Sequence, residues 1–206
     1  MTATLLAAGA LAQQIQADLV VASERFTQAH QRPAHLTLMQ VGDDATAAYY
    51  AGQVARSCAQ VGARCSLRQF PHATTETTLR AAVAALGAQA DVDGVVLLIP
   101  LPPHIRQRVV MEELPPEKDV DGLGPRNAGR LMLGFPSYVP STADAALELL
   151  RSASIPLQGQ NAVVVGRSNV GGRPAALLFL RENATVSFCH SRTPDLASVT
   201  HQADIL

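Results

Sequence analysis

Val163-Val164-Val165-Gly166-Arg167-Ser168-Asn169-Val170-Gly171-Gly172-Arg173-Pro174 runs from β-branched residues into a glycine-bearing turn and then a proline. Residues 161–165 read as a buried strand, and residues 174–180 as a helix with proline near its start. A turn between a strand and a helix N-terminus presents backbone N–H groups to a pyrophosphate, the arrangement of a Rossmann dinucleotide site. The usual pattern is GxGxxG; here Ser168 stands at the second glycine position. Taken alone, the motif leaves a plain glycine-rich turn open. About 20 residues past the first glycine, an NAD site places an acid on the ribose hydroxyls. The corresponding stretch is Cys189-His190-Ser191-Arg192, with no acid. A hydroxyl and a guanidinium there suit a 2′-phosphate, so NADP is expected over NAD, the alternative being a solvated loop. The candidate cofactor residues are Gly166, Arg167, Ser168, Gly172, Ser191 and Arg192.

Outward from this stretch, strand-like and helix-like segments alternate. Residues 5–30 read as a helix, 35–41 as a strand, 46–59 as a helix and 65–70 as a strand. Residues 75–90 read as a threonine-capped helix, and the apolar run at 94–99 as a strand buried on both faces. Pro100-Leu101-Pro102-Pro103 ends that strand, because proline lacks a ladder N–H. Residues 112–140 are polar and irregular. Ser141-Thr142-Ala143-Asp144 resembles a capping box for a helix to about 152. Residues 184–189 read as a strand, Thr193-Pro194 as the cap of a last helix, and 203–206 as the start of another strand. Such alternation predicts α/β architecture with parallel sheets. The break near 140 divides a domain at 1–140, expected to be a three-layer α/β domain, from one at 141–206. The latter is expected to be a Rossmann-type NADP-binding domain, incomplete here.

The composition, 48% hydrophobic and 16% charged over 206 residues, is that of a globular protein. A net charge of -1 without a basic block gives no support for nucleic acid or an anionic membrane as partner. The apolar run at residues 95–99 is far too short to span a bilayer, and no other uninterrupted run exceeds six residues. Three cysteines without CxxC spacing suit the reducing cytoplasm better than disulfides, and no metal site is expected. Residues 1–12 are mildly apolar, but no Lys or Arg precedes them and the helical pattern continues, so a helix is expected rather than a leader. Lys118 is the only lysine, which leaves few places for a lysine-based catalyst.

Five blocks resemble the bifunctional methylenetetrahydrofolate dehydrogenase/cyclohydrolase family (FolD type), in the family's order and spacing. They are QVGDDATAAYY (40–50), DVDGVVLLIPLP (91–102), EKDVDGLGPRNAGRL (117–131), VVVGRSNVGGRP (163–174) and CHSRT (189–193). The resemblance covers essentially the whole chain. It implies hydride transfer from 5,10-methylenetetrahydrofolate to NADP in one-carbon metabolism, which feeds purine synthesis, and a homodimer. It also implies that family members continue past the position of Leu206.

Carried over residue by residue, the resemblance makes Tyr50 a catalytic residue lying against the folate. Asp121 becomes the acid that holds the pterin edge, and Leu98 and Pro100 become substrate-binding positions. Five positions depart from the family pattern. Its Ser-x-x-Tyr-x-x-x-Lys helix motif has Ala47 for serine and Val54 for lysine, and its V-Q-L-P-L-P strand has Leu98 for the glutamine that bonds that lysine. Arg56, six residues past Tyr50, faces elsewhere, and Gln53 is no general base. Gly124 replaces a histidine, and Ala143 a proline. The expectation is a dehydrogenase whose methenyltetrahydrofolate cyclohydrolase step is weakened or lost. Two other readings stay open: a degenerate member that binds nucleotide or a partner without turnover, and an NADP enzyme for another substrate.

Overall fold

His35–Val41 forms strand β1, in which every residue but Leu36 is buried, as a central strand covered on both faces requires. The structure is a computed structural model that describes residues 4–206. Arg64–Phe70 (β2) and Gly94–Leu97 (β3) flank β1 in the order β2-β1-β3, and both pairings are parallel. Parallel neighbours need crossovers; Ala45–Gln60 (α2) and Glu76–Ala88 (α3) supply them. Gly9–His30 (α1) precedes β1, and Gln107–Met111 (α4) follows β3.

Side-chain alternation splits the packing between two faces of this sheet. Met39, Val41, Val95 and Leu97 pack with Leu79, Val83 and Leu86 of α3 and Val110 and Met111 of α4. Leu38 and Leu98 pack with Ala47 and Ala51 of α2. The result is helix, sheet, helix: the three layers expected of the N-terminal region.

Two compact units divide the chain, Ala12–Arg126 and Asn127–Leu206, the latter joined by the N-terminal residues through Leu11. Pro125–Met132 (α5) carries the chain across that division. In the second unit, Asn161–Val165 (β4) pairs in parallel with Thr185–Cys189 (β5). Ser141–Ser152 (α6) and Gly172–Arg181 (α7) contribute Ala143, Leu147, Leu150, Ala175, Leu178 and Phe179 to one apolar core. Leu196–Thr200 (α8) follows β5.

The structure departs from the sequence reading in several places. The first helix begins at Gly9 rather than at 5, because Leu6 leaves the helical path to pack on the core of the second unit; of residues 1–12, the first three lie outside the described residues. The apolar run at 94–99 is ladder-paired only through Leu97, although the Leu98 N–H still donates to the Met39 carbonyl at 2.9 Å. Within 112–140, expected to be irregular, α5 forms by burying Asn127 and Leu131 on one side while its arginines stay exposed. Helix α6 begins at Ser141 itself, so the N-cap position falls to Pro140 rather than to the serine. The last helix is capped by Asp195, whose carboxylate accepts from Ser198 N at 2.9 Å, and Thr193 instead accepts from His190 N. The strand expected at 203–206 reduces to one parallel bridge between Ile205 and Ala162.

Candidate active site

In open parallel sheets, ligands gather beyond the carboxyl ends of the strands. At that edge of the first unit the chain leaves β1 through Gly42, whose φ of +83° favours glycine, and enters α2 at Asp44. The Asp44 carboxylate accepts from Ala47 N at 2.8 Å and fixes the helix start. Tyr50 lies in the second turn of α2, 48% exposed. Burial pushes its phenol pKa up, and the Asp121 carboxylate adds to the shift, so Tyr50 stays a neutral hydrogen-bond donor through the physiological range. Tyr50 therefore lies close enough to Asp121 to feel its charge.

Asp121 owes its place to a residue that the sequence reading passed over. Asp119 is 1% exposed, and its two carboxylate oxygens accept from Leu123 N (3.1 Å) and Gly124 N (2.9 Å), closing the turn. A Cβ at Gly124 would stand 2.9 Å from that carboxylate, so glycine here permits the close approach. Two acids spaced by one residue were visible in the sequence; which of them turns inward was not.

Val54 and Leu98 join one apolar cluster with Leu38, Ala47 and Ala51. Leu98 is 3% exposed, whereas Ile99 and Pro100 after it are exposed. Nothing basic replaces the family's lysine there. The ammonium of Lys118 donates to the Gln89 carbonyl, Arg56 is exposed, and the Gln53 amide donates to the Tyr49 hydroxyl at 2.6 Å.

In the second unit, the turn after β4 is held by backbone contacts. Gly166 N donates to Cys189 O at 2.8 Å, and Gly171 N to the Ser168 hydroxyl at 3.1 Å. Gly172 packs so closely that a Cβ would sit 2.2 Å from the Gly166 carbonyl oxygen. No side chain fits that cradle, which is what a backbone-lined dinucleotide turn demands. Beside it lies a cavity of about 370 Å³ lined by Arg167, Arg173, Leu177, Phe188 and His190. An apolar floor under guanidinium groups suits a base and a phosphate, so these residues fit an NADP cofactor. Of the candidate cofactor residues, only Arg167 lines this cavity. Ser191 and Arg192 are exposed in the turn beside it, where Arg192 N donates to His190 Nδ1 at 3.1 Å. Arg173 was missed because it reads as helix-start filler; its Nη1 donates to Asn169 Oδ1 at 3.0 Å. Among the described residues no group of His, Cys, Asp and Glu could hold a metal ion.

Two family models match the chain. The catalytic domain of tetrahydrofolate dehydrogenase/cyclohydrolase covers residues 6–121, and the NAD(P)-binding domain of the same family covers 140–206. The chain belongs to the tetrahydrofolate dehydrogenase/cyclohydrolase family. Among relatives of this family, the bifunctional protein FolD of Geobacillus thermodenitrificans is 43% identical over 206 residues, covering 100% of this chain and 72% of the relative. The crystal structure of FolD from Campylobacter jejuni superposes with a TM-score of 0.93 at 34% identity, covering 98% of this chain and 71% of that one. Trypanosoma brucei FolD, solved with NADP cofactor and an inhibitor, gives a TM-score of 0.91 at 30% identity, covering 99% and 71%. The expected family and two-part α/β architecture are thereby established.

Proposed function

We propose that this protein oxidises 5,10-methylenetetrahydrofolate to the 5,10-methenyl form with NADP+, and that its methenyltetrahydrofolate cyclohydrolase step is weakened or lost. One observation carries the reading. The hydride-transfer parts persist, namely Tyr50 with Asp121 near it and the glycine cradle, while Leu98 is buried in an apolar cluster and half-buried Val54 packs against it, where the family pattern places an amide and an amine. Hydride transfer depends mainly on positioning two bound rings. Hydrolysis of the methenyl cation needs a base to take a proton from water.

Residues 1–140 are assigned to folate and 141–206 to NADP. Asp121 accepts pterin N–H donors, and the Tyr50 hydroxyl donates near the reacting carbon. Leu98 and Pro100 shape the wall of the pocket. Gly166, Ser168 and Gly172 bring the backbone up to the pyrophosphate, and Arg167, with Ser191 and Arg192 in the adjoining turn, meets the 2′-phosphate. Bound NADP+ supplies the hydride acceptor. β2 lies at the edge of its sheet, paired on one side only among the described residues, and such an edge supports a homodimer. Free thiols at Cys58, Cys65 and Cys189 fit a reducing compartment, the cytoplasm; no helix among the described residues is long and apolar enough to cross a membrane.

The test is formation of NADPH with methylenetetrahydrofolate, run beside the decay of methenyltetrahydrofolate after subtraction of the uncatalysed rate. NADPH formation with methenyl decay at the background rate is the expected result. Rapid enzyme-catalysed methenyl decay overturns the second half of the proposal, and absent NADPH formation overturns the first. Light scattering of the purified protein at twice the monomer mass is the outcome expected for the homodimer.

A further inference from the structure

Gln40, the last residue but one of β1, is 1% exposed, and its side-chain carbonyl oxygen has no hydrogen-bond partner among the described residues. A buried acceptor without a donor is costly and rare, so its surroundings need an explanation. The register of β1 and β3 pairs Leu38 with Val96 and Met39 with Leu97. One step further along, Gln40 stands beside Leu98. Leu38 and Leu98 both face α2, and alternation puts Gln40 on that same face. Its amide nitrogen confirms the direction, donating at 3.2 Å to the carbonyl of Asp44. That same carbonyl accepts Ala48 N at 3.0 Å, the first bond of α2. Gln40 therefore ties the first turn of α2 to the central strand, and Tyr50 follows on the same helix.

The missing donor has a place as well. In-register neighbours in a sheet lie about 4.8 Å apart, and paired amides at such positions bond laterally. A glutamine at position 98 would set an N–H against the Gln40 carbonyl oxygen; Leu98 offers none. Ala47, on the facing helix, has no hydroxyl to offer either. Replacement of the amide at 98 thus emptied one side of Gln40 while leaving its grip on α2 intact.

We propose that Gln40 is a positioning residue for Tyr50, acting through the Asp44 carbonyl, and that its unpartnered carbonyl is the acceptor for an amide at position 98. The first part rests on the folate reading above; the second does not.

Gln40→Met, close in volume and unable to bond, tests the first part. It removes the bond to Asp44 and the orphaned acceptor together, so the thermal midpoint should move by no more than about 2 °C, with NADP+ affinity unchanged. The KM for methylenetetrahydrofolate should rise roughly fivefold to tenfold as Tyr50 loses its register. An unchanged KM overturns the positioning role, and so does a KM rise accompanied by a matching loss of midpoint and of NADP+ affinity. Leu98→Gln tests the second part in the parent and in Gln40→Met. The midpoint should rise by about 2–4 °C in the parent alone. An equal change in both backgrounds, or a fall in the parent, overturns the pairing. A parent that forms no NADPH from the folate overturns the functional reading and the positioning role with it, while the thermal comparison still decides the pairing.

Discussion

At single residues, the proposed chemistry turns on Val54 and Leu98, which stand where the family pattern has a lysine and a glutamine. A lysine restored at 54 alone would bring its ammonium into an apolar cluster without an amide to receive it, and a buried unpaired charge is expensive. Val54→Lys is therefore expected to leave methenyltetrahydrofolate decay near background. Val54→Lys with Leu98→Gln should recover part of a base contribution of roughly 10²–10⁴ in rate, and more than the product of the single effects, as coupled neighbours do. Measured decay rates of the four proteins check this. On the nucleotide side, Arg167→Ala is expected to weaken NADP+ binding by roughly tenfold to a hundredfold and NAD+ binding far less, as loss of a charge-assisted contact to the 2′-phosphate requires. Titration with both cofactors reads the difference. Arg192→Ala should give a smaller change of the same kind, because its side chain stands in the exposed turn rather than in the cavity wall. Arg192 could be proposed from its distance past the glycines; Arg173 could not, since its approach to the cavity depends on the angle at which α7 leaves the turn.

At the level of elements, β1, β2, β4 and β5 were read to within a residue, because short runs of strand-forming residues bounded by turn residues stand out. The short helices escaped. α5 has eight residues, with a proline at its start and a glycine inside, too few for a helical period to stand out. The N-caps expected at 141 and 193 fall at Pro140 and Asp195 for a related reason. A serine or threonine before a helix is only a candidate, and the competing acceptor, Asp195 in the last helix, is chosen by local geometry. The turn that presents Asp121 is an element of the same kind, built on Asp119. Asp119→Ala leaves the N–H groups of Leu123 and Gly124 without their carboxylate and should destabilise the protein by about 2–3 kcal/mol. It should also raise the KM for the folate while sparing NADP+ affinity; denaturant unfolding and steady-state kinetics measure the two effects.

For the molecule as a whole, α/β class and a two-part chain were readable from alternation, whereas the path of residues through Leu11 into the second unit was not, because it depends on a single apolar side chain, Leu6, finding a distant core. Stability at low pH should follow two carboxylates. The Arg32 guanidinium holds Asp93 below the usual carboxylate range through bonds at 2.7 and 2.8 Å, helped by His35 N at 2.8 Å. Arg106 holds Glu76 down to about 2. Both folded values are depressed, so their contribution is complete above an unfolded pKa of about 4 and fades as pH falls through the folded values. Asp93→Asn should therefore lower the thermal midpoint at pH 7 and narrow the gap to the parent as pH approaches 2, a trend that calorimetry across that range would reveal or refute. The tether of Lys118 to the Gln89 carbonyl has a practical corollary. With the chain's one native ε-amine engaged by the backbone, an amine introduced at position 54 becomes the one ε-amine without such a tether. Acylating reagents of graded pH preference, followed by peptide mass mapping, would then titrate that engineered amine by its own reactivity, separately from any turnover it restores.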